Sequence, residues 1–359
     1  MRSSARCPAL EADGQAGAHE NRRVAHFVDA ARMLLAGDIG GTKALLALYG
    51  SDHAVFEERY ASSEFTDFES LLAHFLHGAT AALGSAPRVT SACFGFAGPV
   101  EDGHVRVTNL PWSVDASRLR ARFGFSRLRL VNDFYAAASG IGQLAPGELV
   151  TLQSGEVKGD APRLVIGAGT GLGIAYVGAD GKPLAGEGGH AAFAPVSKMQ
   201  AELWQYLHEK FGRVTLEHVI SGAGLARIYA FLRQRPDYSE SAELRIALRT
   251  GDAPALISRY AMEQADALAG AALDLFIACY GAAAGDHALH VMARGGVFVA
   301  GGIAPKILPR LQAGGFIAAF NDKNAFGDHM RRVPVHVVTN ERLGLLGAAA
   351  LAQARQEAR

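Results

Sequence analysis

The sequence predicts an α/β protein whose two domains face each other across a cleft. Three observations carry this prediction. An apolar strand, a glycine-rich turn and a second apolar strand run from Met33 to Leu48, which is a hairpin signal. The same device returns from Arg163 to Val177, as if used once per domain. Between and beyond the two, short apolar runs alternate with helical spacing, the pattern of an α/β layer architecture. At 359 residues the chain has room for two domains of about 100–200 residues each.

The remaining elements follow in order. Phe68, Leu71, Leu72, Phe75 and Leu76 fall on one face of a helix over residues 68–83. Residues 91–97 read as a buried strand. Residues 128–131 read as another, ending at Asn132-Asp133 before an alanine-rich helix start. Residues 200–292 are mainly helical, with an alanine-rich stretch over 261–284. Residues 295–303 form a strand running into a Gly-Gly turn, and the chain closes with a strand over 333–338 and a small-residue helix over 343–354.

Composition narrows the function. The 35 basic and 35 acidic residues cancel, so nothing points to nucleic acid or a membrane surface held by bulk charge. Cys7, Cys93 and Cys279 form no paired motif, which argues against a disulfide framework or cysteine-rich zinc site and fits a reducing cytoplasm. No uninterrupted apolar run approaches the roughly 20 residues that span a bilayer. The 42 glycines are abundant and clustered, as where backbone turns approach a ligand closely.

Glycine turns between strands expose consecutive backbone N–H groups, and such concavities bind phosphate oxygens. Gly37, Asp38, Ile39, Gly40, Gly41 and Thr42 add a carboxylate suited to Mg²⁺ and a hydroxyl suited to phosphate. Gly169-Thr170-Gly171 and Gly301-Gly302 supply a second and a third turn. Any one alone also reads as a tight hairpin. The P-loop and dinucleotide fingerprints do not fit, because each needs a helix directly after the turn.

Asp133 ends an apolar strand, where ligands of α/β sheets gather. It reads as a base for a sugar hydroxyl or as the N-cap of the helix that follows. Gly186-Glu187-Gly188-Gly189-His190 sets a carboxylate and an imidazole in a glycine loop, a set able to bond sugar hydroxyls or to form a polar surface loop. Glu217 on its own reads as a solvated helix charge. The pairs His74/His77 and His287/His290 have helical spacing but no accompanying carboxylates or cysteines, so they read as surface helix positions rather than a metal site.

Taken in order, LLAGDIGGTKALLALY, GFAGPVEDGHVRVTNLPW, VNDFYAAASG, GAGTGLGIAYV, GEGGHAAFAP, LEHVISGAGLARIY and GGVFVAGGIAPKIL resemble the bacterial glucokinase family of the actin-like ATPase (ribonuclease H-like) superfamily. The match runs over nearly the whole chain from Met33. The resemblance implies two actin-like α/β domains flanking a cleft, residues 33–143 with 341–359 forming the smaller and 144–340 the larger. It implies ATP-dependent phosphorylation of glucose at the entry to glycolysis, in the cytoplasm, by a homodimer. Asp133 matches the catalytic base, and Asn132, Glu187, His190 and Glu217 match sugar contacts. Gly37 to Thr42, Gly169 to Gly171 and Gly301-Gly302 match the nucleotide turns, with Ser221-Gly222 beside the adenosine. The resemblance also implies that Asp38 acts on Mg²⁺ through water.

Related sugar kinases and repressors carry a cysteine-rich zinc motif that is missing after His190, so no structural zinc is expected. Lys43 stands where some glucokinases carry Asn; it reads as solvated or as added charge near the phosphates. A kinase for mannose or N-acetylglucosamine, or one using polyphosphate, shares these motifs. A sugar-responsive regulator would need a DNA-binding module, and residues 1–32 are too short and poorly patterned for one.

Residues 1–32 show little apolar periodicity, and Glu11 and Asp13 break any secretory apolar stretch. They read as a disordered extension, with Met33 as the natural start. N-terminal sequencing of the protein from its own cells is expected to begin at Met33, and residues found before it would refute that reading.

Overall fold

The computed structural model describes residues 33–51, 53–263 and 266–354; the extension over residues 1–32 lies outside them. The chain begins with β1 (Met33–Ile39), β2 (Lys43–Tyr49) and β3 (Ala54–Ala61), then α1 (Phe68–Leu83) and β4 (Val89–Phe96). Three short strands follow, β5 (Val100–Glu101), β6 (His104–Arg106) and β7 (Ser113–Asp115), then α2 (Ala116–Phe123), β8 (Arg127–Asn132) and α3 (Asp133–Gly140). The first sheet has the order β3-β2-β1-β4-β8. Its first two joints are antiparallel and its last two parallel.

Local chemistry sets the element ends. The Asp67 carboxylate accepts the Ser70 amide and starts α1, and Gly84 ends it in the left-handed region at φ 74°. Between those caps Phe68, Leu71, Leu72 and Phe75 are buried, as the helical spacing predicts. Asp115 caps α2 by accepting from Ser117 and Arg118.

The second lobe repeats the plan. Its sheet contains β9 (Leu149–Gln153), β10 (Arg163–Ala168), β11 (Leu172–Val177), β12 (Pro183–Gly186), β13 (Gly296–Ala300) and β14 (Val335–Val338), in the order β12-β11-β10-β13-β14-β9. Apart from the added β9, the order and sense of the strands match the first sheet. The hairpins predicted from the two glycine turns are therefore the same corner of two copies of one sheet.

Behind the second sheet runs the helix Ala267–Val291, long and apolar enough to cross a bilayer. The sequence reading expected no such run. The helix is apolar on all sides because it is a core element, with 67% of its apolar window buried. Asp274 pairs with Arg310 and Asp286 with Lys323 at its surface. His287 on this helix corrects another expectation. It is buried, and its ring nitrogen shares a 2.7 Å hydrogen bond with the Tyr176 hydroxyl, so it is a satisfied core histidine rather than a surface one.

After β14 the chain returns to the first lobe. The C-terminal helix Leu343–Gln353 packs on β1, β4 and α3, burying Leu345, Ala348, Leu351 and Ala352 with Ala36, Leu45, Ala47 and Cys93. Its contact with α3 is backbone on backbone. A Cβ on Gly347 would stand 1.7 Å from the Ala136 carbonyl oxygen, and one on Gly140 would stand 2.5 Å from that of Leu343.

Phe134 joins the lobes. From the first turn of α3 its ring lies on β10 and β11, in space that a Cβ on Gly167 or Gly173 would fill.

Because neither helix can yield at this contact, Gly347→Ala is expected to destabilise the fold by about 1–3 kcal/mol. The measurement is a lowered urea midpoint with an unchanged m-value.

Candidate active site

The first glycine turn links β1 to β2. The Gly40 amide donates to the Lys43 carbonyl at 2.9 Å, and Ser62 fixes the turn by donating from its hydroxyl to the Gly40 carbonyl and from its amide to that of Thr42. The second turn links β10 to β11. Its Gly169 amide donates to the Gly171 carbonyl at 2.8 Å, and the Gly169 carbonyl accepts the Gly222 amide at 2.9 Å. The third turn leaves β13 beside the second: Gly301 sits at φ 81°, where a side chain would strike the Ala168 carbonyl, which accepts the Ile303 amide.

All three turns open on one cleft. A cavity of about 950 Å³ is lined by Gly40, Gly41 and Thr42, by Gly169 and Thr170, and by Gly302 and Ile303. Gly222 lines it too, while Ser221 is buried behind it with its hydroxyl capping the helix Gly222–Leu232. Its outer wall is the helix Ala253–Met262, through Pro254, Ala255, Ser258 and Arg259. A second cavity of about 330 Å³ contains Asp38, Asp133, Phe134, Gly301 and Gly344.

Asp38 and Asp133 end neighbouring parts of the first sheet and face the same small cavity. Burial raises both carboxyls, Asp38 to about 6 with Arg59 opposing the shift, and Asp133 to about 7 with Asp38 and Glu187 adding to it. Asp38 sits against the first turn of the C-terminal helix, where a Cβ on Gly344 would come within 2.6 Å of its Oδ2. Only glycine at 344 allows this approach.

The N-cap of α3 is Asn132, not Asp133. Its Oδ1 accepts the amides of Phe134 and Tyr135, and its Nδ2 donates to the Gly98 carbonyl. The cap reading for Asp133 is thus corrected by one residue, because Asn132 has the extended φ/ψ that a cap requires. Asp133 accepts the Phe134 amide through one oxygen at 2.8 Å, leaving its other oxygen for the cavity.

Glu187 and His190 lie on a tight turn after β12, held by the His190 amide on the Glu187 carbonyl. Gly188 in this turn packs on Ile174 and on His287, so the buried His287–Tyr176 pair supports it from behind. The turn joins the short helix Leu216–Val219, since the Ala191 carbonyl accepts the Leu216 amide. Glu217 of that helix is not a solvated charge. Its Oε2 accepts the Leu172 amide at 2.9 Å and fills the space beside Gly171, tying the Glu187–His190 loop to the second glycine turn.

The cavities also contain residues that the sequence pattern does not mark. Arg59 and Lys306 line the small cavity, and Ser258 and Arg259 line the large one. Lys306 offered one signal, its place directly behind a glycine turn. The others carried none, because tertiary packing alone brings them to the cleft.

The repeated sheet, with its glycine turns opening on one cleft, defines the class as an actin-like ATPase fold. The chain matches the glucokinase family model over residues 35–355. It is 40% identical over 344 residues to a glucokinase from Synechocystis sp., covering 89% of this chain and 97% of that one. A crystal structure of a glucokinase from an Antarctic psychrotroph is similar with a TM-score of 0.74 and 30% identity, covering 89% of this chain and 98% of the other. A ROK family glucokinase from Streptomyces griseus, solved with glucose and AMPPNP, shares the fold at a TM-score of 0.64 and 21% identity, covering 89% and 99%. This chain belongs to the glucokinase family.

The raised carboxyls carry a stability consequence. Asp133 holds its proton to about pH 7 when folded, whereas an exposed aspartate releases it near 3.8. The folded state binds more protons across that window, so stability is full below the lower value and falls as pH rises through the upper one. Asp133→Asn cannot ionise. It is expected to be more stable than wild type at pH 8 by on the order of 1–3 kcal/mol, with the gap closing toward pH 4. Thermal melts at both pH values check this, and equal gaps would remove burial as the cause.

Proposed function

We propose that this chain transfers the γ-phosphate of ATP to the 6-hydroxyl of glucose, giving glucose 6-phosphate and ADP, with Asp133 as the base. The observation that carries the proposal is the position of Asp133. It stands at the end of a parallel strand, beside Asp38 and in the cavity that adjoins the three glycine turns. The glucose bound to the Streptomyces griseus relative and the names of the closely similar chains support the same substrate.

Asp133 accepts the proton of the 6-hydroxyl as that oxygen bonds to the γ-phosphorus and the bond from phosphorus to the ADP oxygen breaks. Transfer of this kind is mostly positioning and charge neutralisation. The glycine turns orient the phosphates through their amides. Glu187, His190 and Glu217 are assigned to the hydroxyls of the sugar ring. Asn132 sets the start of α3 and with it the Asp133 carboxyl, keeping one amide hydrogen for a hydroxyl. A raised Asp133 suits its task, because a base near neutrality can both take and release a proton.

Asp38 and Asp133 offer hard oxygen donors, and among the described residues no three His, Cys, Asp or Glu gather into a metal cage. That fits Mg²⁺, which keeps several waters and is held by one or two carboxylates together with substrate phosphates. Asp38 would hold it through water. When bound, Mg²⁺ neutralises charge on the phosphate oxygens.

Residues 33–143 with 341–359, and residues 144–340, form the two domains of this reading, and their closure excludes water as a competing acceptor. We place the enzyme in the cytoplasm as a homodimer through the larger domain; a monomer mass in solution would overturn the dimer.

The deciding assay is glucose 6-phosphate formation with ATP and Mg²⁺. Asp133→Asn is expected to lower kcat by about 10²–10⁴-fold while glucose still binds, as read by intrinsic fluorescence titration. For the wild type, kcat/KM for glucose is expected to rise with pH and level off above about 7, as Asp133 ionises. Near-normal turnover in the variant would reassign the base.

A further inference from the structure

The two cavities share four lining residues: Gly40, Lys43, Gly302 and Lys306. They therefore meet at a neck, to which each lobe contributes one glycine and one lysine. Lys43 opens β2, directly behind the first glycine turn. Lys306 lies in the short helical turn Ala304–Ile307, directly behind the third.

Both lysines are exposed. Lys198 is ion-paired with Glu202 and Lys323 with Asp286. Among the described residues Lys43 and Lys306 have no such partner. Two like charges thus stand on opposite walls of the cleft, neither held in an ion pair.

A phosphate chain reaching from the large cavity to Asp133 must cross this neck. The glycine amides on either side can orient its oxygens, but they are dipoles without net charge. Lysine ammonium groups are compact, mobile cations that suit non-bridging phosphate oxygens. We propose that Lys43 and Lys306 form a two-sided clamp on the donor's phosphate chain, one cation from each lobe, so that donor binding draws the lobes together.

The clamp rests on the phosphoryl-transfer reading above and assigns it two residues. Electrostatics gives its sign: the two cations repel each other, and a chain carrying several negative charges attracts both walls at once. Bridging needs both cations, so losing either one forfeits most of the effect and the losses do not add. AMP, whose single phosphate lies next to the nucleoside, does not reach the neck.

The test uses the full chain and inorganic tripolyphosphate, titrated calorimetrically and followed by small-angle scattering. Wild type is expected to bind tripolyphosphate and to become more compact. Lys43→Gln and Lys306→Gln should each weaken binding about 10–100-fold and abolish the compaction, with the double variant little worse than either. Lys43→Arg and Lys306→Arg should keep both responses, and AMP binding should not change in any variant. In turnover, the Gln variants should raise KM for ATP while KM for glucose stays within about twofold.

Tripolyphosphate binding and compaction that survive in the Gln variants overturn the clamp, as does equal weakening of AMP, which would mark general damage to the cleft. The two readings fail separately. Wild type that makes glucose 6-phosphate while the Gln variants keep its KM for ATP sinks the clamp alone. Wild type that makes none, yet binds tripolyphosphate through the two lysines, sinks the sugar assignment and leaves the clamp standing.

Discussion

The bare contact between α3 and the C-terminal helix is the constraint on which the site depends. Gly140 and Gly347 let the two backbones touch where any side chain would separate them. That contact sets the height of α3 over the first sheet, and hence the position of Asp133 at its first turn. Three residues before Gly347, Gly344 brings the same helix against the Asp38 carboxylate. One helix therefore holds both carboxyls of the cavity, one through its partner helix and one directly.

Holding them there works against the fold's own stability. Two carboxyls in one half-buried cavity lose hydration and repel each other, and burial is the larger cause of both shifts. Arg59 offsets part of this at Asp38, although it is itself shared with Glu341. The arrangement persists because backbone packing, which does not depend on pH, fixes the elements that carry the acids. Destabilised charge at a site and rigid support around it are two sides of one design.

Much of this was legible in the chain, and the reasons differ by residue. The glycine hairpins could be read because turn chemistry is local, and α1 because its caps and apolar face lie within one stretch of sequence. The Asn132–Asp133 ambiguity was a local question that needed backbone angles to answer. Glu217 could not be placed from spacing at all. Its partner, the Leu172 amide, lies 45 residues away, and a charge on a short helix looks the same whether solvated or bonded. His287 was opaque for the same reason, since its Tyr176 partner comes from a strand 111 residues earlier. Nothing in the sequence distinguishes Phe134 from any other helix aromatic. Only Gly167 and Gly173, on a sheet of the other lobe, reveal why a flat ring follows the acid.

The route of the chain also has a consequence for its birth. The face of the first sheet formed by Ala36, Leu45, Ala47 and Cys93 is covered by Leu345, Ala348, Leu351 and Ala352, from the other end of the described chain. On a ribosome the strands emerge long before their cover, and domains otherwise tend to fold in the order they are made. The earliest strands must wait, with an apolar face open, until the second lobe has been synthesised. The part of the enzyme that begins first is thus finished last, and until the C-terminal helix arrives that sheet face is an apolar surface without its native cover.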